Sequence, residues 1–163
     1  MREELVHPFG PLYGPDSRVL ILGSFPSVKS REINFYYGHP QNRFWKVIPE
    51  IFGREVPTTI EEKKELILSS GLALWDTIGS CEITGSSDAS IRNARPNDIG
   101  VILRECDIRK IFCNGKVSYS LYCRLLEPAT GMKAVCLPST SPANAAWKMD
   151  DLIRAWSEIR EYV

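Results

Sequence analysis

The sequence predicts an α/β protein, a single domain of three layers (α/β/α) around a central, mainly parallel sheet of four strands. Three observations predict it. Apolar runs of strand length recur at 18–25, 72–79, 110–115 and 133–139, and continuous rather than alternating runs read as strands buried on both faces. Segments with helix start and stop signals lie between them. The chain has 163 residues, 44% of them hydrophobic, which is enough for one core without disulfides.

RVLILGSF (18–25) is the first strand, and the SFPS turn after it is stiffened by Pro26. NRFWKVIPEIF sets Phe44, Trp45, Val47, Ile48 and Ile51 near helical spacing, with Pro49 expected to shorten or kink that helix. TTIEEKKELILSSG (58–71) has a capping threonine, early acids and a terminal glycine, so it reads as a helix. LALWDTIG (72–79) is the second strand. SCEITGSSDASIRNARPND (80–98) is rich in Ser, Gly and Asn and reads as a long loop. DIGVILREC (98–106) is a short helix capped by Asp98. KIFCNG (110–115) is the third strand, and KVSYSLYCRLL (116–126) the helix after it. KAVCLPS (133–139) is the fourth strand, TSPANAAW (140–147) a loop, and KMDDLIRAWSEIREYV the closing helix. Such alternation puts helices on both faces of a parallel sheet, where ligands bind beyond the carboxyl ends of the strands. GSFPS, WDTIGS, CNGK and PSTSPANA therefore converge on one rim, and YYGHPQN leads back from it.

Composition excludes several classes. Twenty basic and twenty acidic residues balance to zero, which argues against a protein that coats nucleic acid nonspecifically. Lys29, Arg31, Arg43 and Lys46 still leave room for a local basic stripe; a mixed solvated surface fits the charges equally well. Cys81, Cys106, Cys113, Cys123 and Cys136 form no C-x-x-C pair and the chain has two histidines, so no metal site is expected. No apolar run reaches membrane-spanning length, and MREELVHPFG lacks the layout of a signal peptide. A cytoplasmic monomer without membrane contact is the expectation. GSFPS lacks the glycines of a dinucleotide fingerprint. FCNGKVS lacks the first glycine and the Ser/Thr of a phosphate loop. Cys113, at a strand end, lacks the flanking glycines of a nucleophile elbow.

What remains is GSFPS, YYGHPQNRFW and LPSTSPANA, in that order. Together with LWDTI and ARPND, over roughly residues 17–158, they resemble the uracil-DNA glycosylase superfamily. The aromatic segment is similar to the F-x-H-P-x-N-R-F-W motif of the branch that excises uracil or thymine opposite guanine. That branch has a water-positioning asparagine in its first motif, where this chain has Phe25. Gly23-Ser24-Phe25-Pro26-Ser27 paired with His-Pro-x-Asn-Arg-Phe-Trp instead resembles the hypoxanthine-DNA glycosylase branch. The resemblance implies a DNA repair enzyme that hydrolyses the N-glycosidic bond of a flipped deaminated base, preferably hypoxanthine. Its partner would be damaged DNA, with no cofactor. No lysine in these motifs is placed to form an imine, so water would be the nucleophile.

The resemblance also implies roles. Asn42 and His39 would be catalytic. Ser24, Phe25, Pro26, Tyr37 and Asp76 would bind the base, with Tyr37 stacking on it and Phe25 as a second wall. Ser27, Ser139, Thr140, Ser141, Ala143 and Asn144 would contact DNA. The chemistry suits these types: an extruded base needs an aromatic face and edge hydrogen bonds. Asn42 cannot be a general base, since its amide does not titrate, but it can orient a water or donate to the leaving purine. Read from the residues alone, Asn42 is also a good helix cap, Tyr36 and Tyr37 are packing at a helix entry, His39 is a loop hydrogen bonder and Asp76 is a loop cap. The alternatives are a glycosylase for uracil or mismatched thymine, a non-catalytic module that binds nucleic acid, and a cysteine hydrolase using Cys113.

Overall fold

The computed structural model describes residues 3–163. Its centre is a parallel sheet of four strands: β2 (Val19–Gly23), β3 (Leu72–Asp76), β6 (Lys110–Asn114) and β7 (Ala134–Leu137), in the order β3-β2-β6-β7. Every residue of β2 is buried, because β3 and β6 cover its edges and helices cover its faces. Side chains alternate across a strand. Val19 and Ile21 thus join the core beneath α2 (Phe44–Ile51), α3 (Ile60–Ser69) and α7 (Met149–Trp156). Leu20 and Leu22 join the core beneath α4 (Gly100–Glu105) and α5 (Lys116–Leu125). The expected three-layer α/β/α arrangement is present.

Local signals explain most boundaries. Thr59 accepts from Glu62 N while the Glu62 carboxylate receives Thr59 N–H, the reciprocal cap that starts α3. Gly71, at φ +76°, turns the chain into β3. Pro49 stands in the last turn of α2, which runs only eight residues. Asp98 Oδ1 accepts from Gly100 N at 3.1 Å where α4 begins. The closing helix is regular only to Trp156 and continues as a tighter turn over Ser157–Glu161. Two short helices, α1 (Val28–Ile33) and α6 (Glu127–Thr130), had no periodic signal.

The stretch 80–98 corrects the sequence reading. It is not one loop: β4 (Ile78–Ile83) and β5 (Arg92–Pro96) pair antiparallel, and β1 (Glu3–Val6) lies on the other edge of β4. The pairing of β4 with β5 shifts register twice, between Ile78 and Ser80 and between Ser80 and Glu82. Irregular pairing of this kind breaks the period-2 pattern on which strand recognition rests. β5 is also largely exposed, so it carries no apolar face to read. Thr77 makes the transition from one sheet to the other, donating both its N–H and its hydroxyl to Gly23 O, at 2.8 and 2.6 Å.

Candidate active site

The strands deliver Gly23, Asp76 and Asn114 to one rim, and a cavity of about 460 Å³ opens there. That volume is in the range of sites for small molecules. Eleven of the thirteen residues expected at a site line it: Ser24, Phe25, Pro26, Ser27, Tyr37, Asn42, Asp76, Ser139, Thr140, Ser141 and Ala143. His39 and Asn144 do not. His39 is exposed; its Nδ1 accepts from Gln41 N at 3.1 Å and its carbonyl from Asn42 N at 3.0 Å, so it closes the turn before α2. Asn144 donates to Ser139 O at 3.0 Å and borders an adjoining groove.

Asn42 is held in one orientation. Phe44 N–H is an obligatory donor and lies 3.0 Å from the Asn42 oxygen, which fixes that atom as Oδ1. Thr140 N–H likewise identifies Asn114 Oδ1, at 3.0 Å. Asn114 Nδ2 then donates to Thr140 Oγ1 at 3.0 Å, and Thr140 Oγ1 to Asn42 Oδ1 at 2.8 Å. Each proton in the chain Asn114–Thr140–Asn42 is thereby assigned. Oδ1 of Asn42 has two donors, and Nδ2 makes no hydrogen bond among the described residues. What Asn42 offers the cavity is N–H.

Arg43 secures the wall that Thr140 belongs to. Its N–H donates to Thr140 O at 3.0 Å, and its guanidinium donates to the carbonyls of Ser141, Asn144 and Trp147. A planar, multiply donating group suits such a loop better than an ammonium would. The 140–147 loop is thus clamped to the start of α2.

On the other side, Tyr37 adopts φ +52° and stacks on Phe44, ring centroids 4.1 Å apart at 22°. Phe44 covers one face of the ring, and Tyr37 lines the cavity. The Tyr37 hydroxyl is buried without a hydrogen-bond partner among the described residues; the nearby Asn114 carboxamide is committed to Thr140. Burial, reinforced by the Asp76 charge, pushes the phenol far above its ordinary range, so it remains an O–H donor. A Cβ on Gly23 would stand 3.2 Å from this hydroxyl and collide with Asp76 Oδ1. Glycine is therefore required, and it brings the two oxygens together at one point of the cavity wall.

Asp76 is 4% exposed. Its Oδ2 receives His7 Nε2–H at 2.7 Å; the tautomer follows from His7 Nδ1, which accepts from Phe9 N at 3.4 Å. Oδ1 is left for a ligand. Facing it from the β4–β5 connection is Asp88, whose Oδ1 accepts from Ser24 Oγ at 2.8 Å. Partial desolvation of the carboxyl raises its pKa although the residue as a whole is exposed; the Ser24 bond works against this and the Asp76 charge adds to it. Phe25, 8% exposed, packs on Ile78, Cys81 and Ile83 and forms an apolar wall.

Sequence reasoning missed His7, Asp88 and Asn114. A single histidine near the N-terminus and an aspartate in a Ser/Gly tract carry no pattern. Asn114 lies in CNGK, a segment that the strand order alone had put on the rim. Cys113 is fully buried, with its thiol pushed up to about 12, chiefly by desolvation, and it does not line the cavity. That environment disfavours the thiolate a nucleophile needs.

A family model for the Uracil DNA glycosylase superfamily matches residues 11–160. The Hypoxanthine DNA glycosylase of Methanosarcina barkeri is 29% identical over 138 residues, 83% of this chain and 86% of that protein. The Hypoxanthine DNA glycosylase of Methanosarcina acetivorans is 29% identical over 137 residues, with the same coverage of each chain. The solution NMR structure of a candidate uracil DNA glycosylase from Methanosarcina acetivorans superposes with a TM-score of 0.81 at 26% identity, covering 96% of this chain and 97% of the other.

Proposed function

The chain belongs to the uracil DNA glycosylase superfamily, and from that premise we propose that it is a monofunctional DNA glycosylase that removes hypoxanthine from DNA. The observation that carries this reading is the pair of oxygens around Gly23, neither with a hydrogen-bond partner among the described residues: a donor, Tyr37 Oη, and an acceptor, Asp76 Oδ1.

Deamination of adenine replaces an amino donor at C6 and an acceptor at N1 with an oxygen acceptor and an N1–H donor. Tyr37 O–H and Asp76 Oδ1 complement the second edge and oppose the first. An adenine placed there would leave two buried groups unpaired, at a cost of about 1–3 kcal/mol each. Stacking on Tyr37 would contribute roughly 1–3 kcal/mol, with Phe25 as the other wall. Normal bases that share the oxygen/N–H edge, guanine and thymine, are further protected by the cost of unstacking a matched pair.

In the reaction, negative charge develops on the leaving purine as positive charge develops on the sugar. The two N–H bonds of Asn42 are aimed by its saturated oxygen, so they can meet a ring nitrogen or hold the attacking water without reorganisation. Ser139, Ser141 and Ala143 present the loop that would meet the backbone, where the two serine hydroxyls would position the strand without reading sequence; Thr140, fully buried with its hydroxyl and N–H committed to Asn42 and Asn114, supports that loop from behind. Damaged DNA is the partner this reading implies, met by a cytoplasmic monomer. No helix among the described residues is long and apolar enough to cross a membrane.

Uracil carries the same edge at N3–H and O4, which makes uracil excision the second reading. Single-turnover assays on duplexes bearing deoxyinosine, deoxyuridine, deoxyxanthosine, mismatched thymine or adenine distinguish them. The expected result is fastest release of hypoxanthine and none of adenine. Faster release of uracil favours the second reading, and a panel left wholly intact overturns both.

A further inference from the structure

The cavity is not isolated. It shares a wall with a groove of about 660 Å³ lined by Trp147 and the start of α5. If the extruded base fills the cavity and the strand lies along the groove, the sugar sits where the two meet. Six residues border both spaces: Asp88, Asn114, Val117, Ser139, Ser141 and Ala143. Asp88 alone among them is titratable. Resting on the glycosylase reading above, we propose that Asp88 is the catalytic carboxylate that receives the proton of the attacking water. It would supply from the β4–β5 connection what the first motif lacks at Phe25.

The geometry is that of a prepared group. Ser24, two residues after the end of the β2 apolar run, donates to Asp88 Oδ1, so the carboxylate is tied to the first motif although 64 residues away. Oδ2 makes no hydrogen bond among the described residues. The connection around it is anchored to α1: Ser86 Oγ accepts from Val28 N at 2.8 Å, and Arg31 donates to Gly85 O at 2.7 Å. The charged and titratable groups around Asp88 are Asp76 from β3, Tyr37 from the turn before α2, Cys81 from β4 and Arg31 from α1, while Lys116 and Glu158 line the same groove. Tyr37 and Cys81 are both pushed upward and stay protonated near neutrality.

The step balances as follows. The C1′–N9 bond breaks and its electron pair leaves with hypoxanthine, which takes a proton from solvent. Water oxygen bonds to C1′, and its proton passes to Asp88 Oδ2, leaving an abasic sugar with a C1′ hydroxyl. Before that transfer, the carboxylate faces the cationic sugar and stabilises it.

The test compares wild type with Asp88→Asn, which keeps an acceptor for Ser24. Single-turnover excision of hypoxanthine should fall about 100-fold, as removal of a proton acceptor typically does. Binding to duplex DNA carrying non-hydrolysable 2′-fluoroarabino-inosine should stay within about twofold, since the base contacts are untouched. Asp88→Glu should recover part of the lost rate. In wild type the rate should fall as acid protonates Asp88, and Asp88→Asn should lose that limb. Excision by Asp88→Asn within about threefold of wild type, or a rate loss matched by an equal loss of binding, would overturn the assignment. So would an acid limb in the wild-type profile that Asp88→Asn retains unchanged. A wild type that releases no base from any lesion overturns this assignment and the glycosylase reading together; an active wild type with an unimpaired Asp88→Asn overturns this assignment alone.

Discussion

An asparagine ahead of a helix ordinarily caps it, and Asn42 Oδ1 does meet Phe44 N–H. The same side chain also lines the cavity, because its second acceptor site is filled by Thr140 and its amide nitrogen is left over. Cap and cavity donor are therefore two ends of one carboxamide rather than rival roles. Asn42→Asp separates them: a carboxylate still accepts from Phe44 and Thr140 but has nothing to donate. Its thermal stability should stay within about 1 kcal/mol of wild type, while single-turnover excision should drop about 100-fold. Wild-type excision by this variant would show that the oxygen, not the N–H, serves the reaction. At this scale legibility followed local pattern. Tyr37, Asn42 and Asp76 stood in recognisable segments. Nothing in sequence spacing joins His7 to Asp76 or Ser24 to Asp88, since those contacts exist only once two sheets are folded against each other.

Among elements, β2, β3 and β6 were readable because both their faces are largely buried, which makes their sequences mostly apolar runs, while the edge strand β7 is only half-buried but keeps a short apolar run. The antiparallel sheet was not. Register shifts in β4 and the exposure of β5 removed the alternation, and β1 is four residues long. That hidden sheet nonetheless shapes the site: it carries Asp88 on its connection and, through the residue after β1, His7. α3 lies away from the cavity and serves as a control. Removing its reciprocal cap with Thr59→Ala should cost about 1 kcal/mol of stability, measured by denaturant unfolding, and leave excision at the wild-type rate. A fall in excision without a fall in stability would mean that the site depends on α3 in a way its packing does not reveal.

Across the whole molecule, zero net charge conceals an uneven use of its cations. Arg31 and Arg43, expected in a basic stripe, are spent holding loop carbonyls, and Lys29 lies 3.7 Å from Glu32. The carbonyls are neutral, so both guanidinium charges persist, fixed in place on the loops, while recognition of the base falls to the cavity. The architecture serves that purpose: a rigid parallel sheet brings Gly23, Asp76 and Asn114 to one rim, and two clamped loops close over it. The most direct measurement compares release of hypoxanthine with release of N1-methylhypoxanthine from otherwise identical duplexes. Methylation removes the N1–H and weakens base pairing, so it makes extrusion easier while denying Asp76 its donor. Rapid release of hypoxanthine with the methylated base left in place is the predicted result. Equal or faster release of the methylated base would contradict it, because the cavity would then be accepting whatever base is easiest to extrude.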